Sequence, residues 1–532
     1  STTSSVDTIK NNLIGSTTIA NSVSITNSAS VCRMYYRGIS LAGFGLGTRL
    51  IDGNTIANIT LAKDATRNNA DNCAGISSTA LDATISNNEI YNLKNGLIYQ
   101  ATYLNEIYAP VVGIYLNSAS GTTLVRSNKI HGLKCTSTTS TVAFSVTGIY
   151  KGGNSLATID RNFIYGLSSD ATTPEGFDIR GISAYLTSAP TPVANLTINN
   201  NIIMLGLDDA GNNLSHNHNY LGIYLNYASP RYVYFNTSFI GGTGSTGSGN
   251  SKAYYQTGAA VEDIRNNIFT NARTNSSATS KHYTISSNDA TFTTCDYNDY
   301  YVSGTGGIIG QLVAADKTSM LSWQAATGGD SHSYSKNPAL SNVGGILAAD
   351  YLPSQPNLAG VTGTGVTTDY YGVVDSRSAT YPAMGALEYA VTPPPSPVEV
   401  TATAGTVGPT LYTTLKAAFD KINDGTHQGA ITIKINDNTT ETASAVLNAS
   451  GGTSSYTSVN IYPTVTGLYI GGNLPSPLID LNGADNVTIN GSLNGLNAVK
   501  DLQICNTSTL STAGTSTIRF INDASNNTVK YC

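Results

Sequence analysis

Along the first half of the chain, short runs alternate apolar and polar residues and are broken by Gly, Asn or Ser. Alternation with period two predicts strands that bury one face. Two marks recur among these runs. A Gly-apolar step stands at Gly38-Ile39, Gly75-Ile76, Gly113-Ile114, Gly148-Ile149, Gly181-Ile182 and Gly222-Ile223, with glycine spacings of 37, 38, 35, 33 and 41. Between the steps lies an Asn with Ile two places after it, at Asn12, Asn54, Asn88, Asn128, Asn162 and Asn201, with a fainter copy at Asn266-Asn267. Each unit holds three runs, as in Gly148-Ile-Tyr150, Leu156–Ile159 and Phe163–Leu167.

Three strands per unit predict a coil, and coils stacked in register predict an all-β, right-handed parallel β-helix. A β-propeller wants four strands per unit, and a leucine-rich repeat wants its own Leu spacing. The six asparagines are structural corners in this reading. Asn suits the left-handed backbone of a tight turn, and its amide can bond the Asn of the coils above and below.

The pattern divides the chain into coils over 1–292, a closing segment over 293–391, a Pro-rich linker over 392–399, and the start of a second β-helix over 400–532. The linker, Thr392-Pro-Pro-Pro-Ser-Pro397, reads as stiff polyproline-type chain. After it, Leu411, Leu415, Ala418, Phe419 and Ile422 fall on one face of an amphipathic helix predicted over 411–424, with Gly425 as its stop. The run from Leu478 then matches the run from Ile518 at an offset of 40. The chain opens and ends inside a coil in this reading, as a processed product or a slice of a longer tandem array would. Its expected partner is itself, head-to-tail through open β-helix ends or as covalent tandem neighbours.

The closing segment contains Asp369-Tyr-Tyr-Gly372 through Arg377, then Pro382-Ala-Met-Gly385-Ala-Leu-Glu388-Tyr389. It resembles the end of secreted bacterial parallel β-helix proteins. With the Asn corners and the start helix, the chain is similar to the large repetitive surface proteins that gliding bacteria export by the type IX route. The resemblance implies that Asp369, Gly372, Arg377, Gly385 and Glu388 form a structural set covering the end of the first core. It also implies that the predicted helix caps the start of the second.

Composition narrows the function. Charged residues make up 11%, the net charge is −6 and 40% of residues are apolar, which argues against general disorder and against nucleic acid as a partner. No apolar run approaches the 18 residues of a membrane span. Scarce Lys with abundant Ser, Thr and Asn fits an extracellular or cell-surface protein. The six cysteines, Cys32, Cys73, Cys135, Cys295, Cys505 and Cys532, show no metal-ligand spacing. Cys32 with Cys73, and Cys505 with Cys532, lie about one coil apart, either as disulfides or as buried thiols.

Candidate chemistry is thin. Asp160-Arg161 and Asp178-Ile-Arg180, with Glu106 or Glu175 in neighbouring loops, are the nearest approach to the acidic and basic cluster of a polysaccharide lyase, and read better as exposed ion pairs. His216 and His218 can share a strand face but lack a third metal ligand in sequence. No catalytic, cofactor-binding or metal residue is assigned, and calcium is not indicated. The 32 Tyr offer a stacking surface for sugars or core packing. The expected function is a non-enzymatic structural or adhesive protein, a stiff fibre or stalk whose loops contact a surface or glycan. The alternative is a polysaccharide lyase or hydrolase on the same scaffold.

Overall fold

The structure is a computed structural model that describes residues 5–26, 35–42, 47–62, 72–96, 110–138, 145–171, 177–186, 195–227, 230–245, 249–258, 261–275, 279–289, 292–392, 396–496 and 498–532. It is all-β, with 50% of residues in strands and 5% in helices. The chain forms two compact units, one of residues 1–323 and 329–391, the other of 324–328 and 392–532.

In the first unit the chain visits three sheets in rotation. Among the described residues, sheet A holds nine strands, from Ser5–Lys10 to Thr294–Asp296; sheet B twelve, reaching Asp299–Val302; sheet C ten, from Tyr35–Leu41 to Gly307–Leu312 and the short Ala315–Lys317. The strand pairings within these sheets are parallel and link successive repeats, except the antiparallel pair of the last two strands of sheet C. This is a parallel-sheet repeat architecture, as the period-two pattern predicts. Because strands stack in register, like residues align in columns. Ile51, Ile85, Val125, Ile159, Ile198, Val233 and Ile264 form one fully buried column of sheet A, and Ile76, Ile114, Ile149, Ile182 and Ile223 one of sheet C.

The Gly-apolar step has a steric cause. Pairing in sheet C jumps from Val112 with Thr147 to Ile114 with Ile149, leaving Gly113 and Gly148 at an irregular point. A Cβ on Gly113 would lie 2.6 Å from both the Gly148 carbonyl oxygen and Ile130 Cγ2. The sheet B isoleucine therefore packs on bare backbone.

The asparagines form a continuous ladder with nine rungs: Asn12, Asn54, Asn88, Asn128, Asn162, Asn201, Asn236, Asn267 and Asn298. From Asn54 onward, each rung's Oδ1 accepts from the Nδ2 (2.9–3.0 Å) and the backbone N–H (2.9–3.1 Å) of the preceding rung. The left-handed conformation, expected at these asparagines, belongs instead to the residue before each: Asn11, Gly53, Asn87, Ser127, Arg161, Asn200, Phe235, Asn266 and Tyr297, with φ of 55–67°. That residue turns the chain, which leaves the following Asn free to aim its amide along the stack.

In the second unit, a six-stranded sheet and two three-stranded sheets enclose a core that includes Val400, Phe419, Ile433, Ile461, Leu481 and Ile489. Helix α1 of the chain is Met320–Thr327, and α2 is Leu415–Asn423. Helix α2 buries Leu415, Ala418, Phe419 and Ile422, and Thr414 caps it by accepting from the Ala417 N–H at 3.1 Å. It is shorter than the predicted 411–424. Leu411 lies in the strand Thr410–Tyr412, antiparallel to Val398–Gly405, and is 56% exposed. The offset of 40 also needs correction: Ile479 pairs with Ile518 and Leu481 with Phe520, an offset of 39, and 40 is reached only where Thr488 pairs with Thr528.

Candidate functional site

On sheet B, register brings Glu89 beside Lys129, and His131 between Tyr91 and Tyr165, from three successive repeats. The strand spacing of about 4.8 Å stacks their rings. His131 lies between Tyr91 (centroids 5.0 Å apart) and Tyr165 (4.7 Å), each plane within 2° of its own. A loop closed by the Leu207 to Asn213 bridge brings in Asp209. Its Oδ2 lies 3.1 Å from His131 Nδ1, and its Oδ1 accepts from the Gly132 N–H at 3.1 Å. On the other side Glu89 Oε1 is 3.6 Å from His131 Nε2, an electrostatic contact rather than a hydrogen bond, and 3.2 Å from Lys129 Nζ.

The charges reinforce one another. The neighbouring imidazole and Lys129 hold the Glu89 carboxyl down at about 2. Burial pulls the His131 pKa down, yet the contacts to Asp209 and Glu89 outweigh it and leave it raised. The result is an imidazole clamped between two carboxyl groups at a partly open surface, with its protonated form favoured. None of these side chains, spread over three repeats, stands out in the sequence alone. Aligned on the ladder Asn, Glu89 follows by one place, and Tyr91, His131 and Tyr165 by three, so the stack was written in register.

The six predicted corner asparagines are the first six rungs of the ladder. The closing set is brought together, but along the flank of the repeats rather than over the end of the core. Arg377 donates from Nη1 to Glu388 Oε2 (3.0 Å), and from Nη2 to Asn200 Oδ1 (2.9 Å), the Gly385 carbonyl (2.8 Å) and the Ala386 carbonyl (3.0 Å). Its guanidinium stacks 4.1 Å from the Phe235 ring centroid. The Glu388 N–H donates to Asp369 Oδ2 at 3.3 Å, and the Gly385 N–H to the Asn266 carbonyl at 2.8 Å. Gly372 passes against Arg161. The segment thus runs back past Asn266, Phe235, Asn200 and Arg161. At the last strands of sheets B and C, the buried Trp323 of α1 packs edge-on against Tyr300 and donates from Nε1 to Asp330 Oδ2 at 2.7 Å.

The remaining candidates stay apart. Asp160 with Arg161 lies at sheet A, and Asp178 with Arg180 in sheet C, so they do not share a site. Glu106, Glu175 and Cys32 lie outside the described residues. His216 and His218 stack 5.6 Å apart, and burial pushes His218 down to about 4. Among the described residues no group of three or more His, Cys, Asp or Glu is placed to hold a metal ion. Cys73, Cys135, Cys295, Cys505 and Cys532 are free thiols, the first three buried. No helix among the described residues is long and apolar enough to cross a membrane. The chain matches no known protein-family model, and no curated protein matches it significantly.

Proposed function

We propose that the first unit is a right-handed parallel β-helix, that the second is another opened by α2 as its cap, and that the chain is a stiff, non-enzymatic extracellular element contacting surface glycans. The observation that carries this reading is the Asn ladder. Nine successive repeats are joined through one unbroken line of side-chain amides, in register with the buried columns. Such a line resists bending and shear between repeats, because each rung shifts only by breaking two hydrogen bonds at once.

A second reading is favoured by one feature. The His131 imidazole between Glu89 and Asp209 is a positioned group of the kind that can serve as general acid or base, as a polysaccharide lyase or hydrolase requires. One experiment separates the two. The full chain is passed over immobilised polysaccharides and incubated with the same polymers, and reducing ends and unsaturated products are assayed. Retention with the polymers intact is expected. Product formation that disappears in His131→Ala would make the chain an enzyme.

A further inference from the structure

On the outer side of sheet A, three successive strands line up two rows: Thr158, Thr197 and Tyr232, and beside them Asp160, Asn199 and Tyr234. Residues 364–368 of the returning segment overhang these rows. The groove between them measures about 460 Å³, lined by Thr158, Thr197, Asn199, Tyr232, Tyr234 and the overhanging stretch. That lies within the roughly 300–1,000 Å³ of small-molecule sites. The overhang is held from behind, because the Arg377 N–H donates to the Thr367 carbonyl at 3.1 Å and its Nε to the Thr368 carbonyl at 3.4 Å.

Asn199 is the informative residue. It is 8% exposed, and its Nδ2 donates to Asp160 Oδ1 at 2.9 Å. Since an ionised carboxylate can only accept, the amide cannot be turned over, and Asn199 Oδ1 must face away as an acceptor. It has no hydrogen-bond partner among the described residues. A buried acceptor left unpaired is costly, and since Asn199 lines the groove, a donor entering there would complete it. The Asp160 charge is taken up by Arg161 Nε (2.6 Å) and also accepts from Asn200 Nδ2 (3.2 Å). Tyr234 donates its hydroxyl to Asp263 at 2.9 Å and also meets Arg265, so its polar end is held from within the sheet.

The groove therefore offers an acceptor, threonine hydroxyls and the half-buried Tyr232 ring, without an ionised side chain in its lining. A pyranose matches each part: hydroxyls for Asn199 and the threonines, and a C–H face for the ring. A uronate would bring a carboxylate toward an acceptor backed by Asp160. We propose that this groove binds a neutral oligosaccharide, with Asn199 Oδ1 accepting a sugar hydroxyl and Tyr232 packing on the sugar face. This rests on the surface-contact reading above and gives it a place and a ligand class.

The test titrates the full chain with neutral gluco-, manno- and galacto-oligosaccharides and with oligogalacturonate, followed by saturation-transfer NMR and calorimetry, beside retention on the corresponding polymers. At least one neutral oligosaccharide should bind, and Tyr232→Ala and Thr197→Val should each weaken it about tenfold, while Tyr531→Ala, at an exposed tyrosine of the second unit, leaves it unchanged. Thr197→Val keeps the shape and exchanges the hydroxyl for a methyl, so it reads the polar contact without removing the side chain. Neutral binding that survives both groove variants overturns the groove and leaves surface contact standing. Preference for oligogalacturonate overturns the ligand class. Wild-type chain retained on no carbohydrate overturns both readings.

Discussion

A side-chain amide in a protein interior is stable only when its donors and acceptor are all engaged. Asn128 Oδ1 accepts from the backbone N–H and Nδ2 of Asn88 (3.0 and 2.9 Å), while its own Nδ2 donates to the Ile85 carbonyl and to Asn162 Oδ1 (2.9 and 3.0 Å). Asn128→Ala strands two donors of Asn88, at about 1–3 kcal/mol each, and should destabilise the first unit by about 2–5 kcal/mol. Faster hydrogen exchange at the Asn88 amide, beside urea unfolding, checks this. Buried charge gives a second prediction. Lys151 occupies an inward column with Leu116 and Ala184, and burial pushes its ammonium down from 10.5 to about 7. Between those values the unfolded chain holds a proton that the folded chain has released, so this group makes stability rise with pH from about 7 toward 10.5. The fully buried Asp299, raised by burial from 3.8 to about 8, acts oppositely and lowers stability as pH rises through that window. Comparing wild type with Lys151→Met isolates the lysine: melts from pH 6 to 10 should lose the rising contribution in the variant, and identical profiles would refute it. The ladder itself was legible, because asparagine recurs at the repeat period. The turn residue was not, since Asn, Gly, Ser, Arg, Phe and Tyr all fill that place.

Strands and helix α2 were legible as elements because each has a period that burial enforces. The alternation around Ile149 and Ile159 and the helical spacing of Leu415, Ala418, Phe419 and Ile422 mark faces that meet a core. Leu411 misled because it continues that helical spacing from within a strand. The returning segment has no period at all. Its course over the flank depends on contacts between residues far apart in sequence, such as Arg377 with Asn200, so the matched motif could name its polar set but not where it lies. Arg377 holds the segment through carbonyls of Ala383, Gly385 and Ala386 as well as through Glu388. Arg377→Met keeps length and apolar stem but leaves Glu388 and the carbonyls without the guanidinium, at a cost of about 3–5 kcal/mol. The segment over 361–391 should then become cleavable by limited proteolysis while the repeats stay protected. Equal resistance of variant and wild type would show that the guanidinium does not anchor it.

For the whole molecule, two separate cores predict two unfolding events. The single tryptophan, Trp323, belongs to the first unit, whereas the second has its own buried cluster around Phe419 and Ile461. Tryptophan fluorescence therefore follows one unit, while far-ultraviolet circular dichroism follows both. Their urea transitions should not coincide, and a single shared midpoint would mean that the units melt as one. The Asn ladder carries a further consequence, for ancestry. Successive rungs lie 42, 34, 40, 34, 39, 35, 31 and 31 residues apart, yet every junction has the same hydrogen-bond geometry. Unequal recombination between any two rung codons would duplicate or delete whole repeats and still deliver each amide to an identical acceptor. Gene length, and with it the reach of the protein, can thus change by single quanta without passing through an unfoldable intermediate.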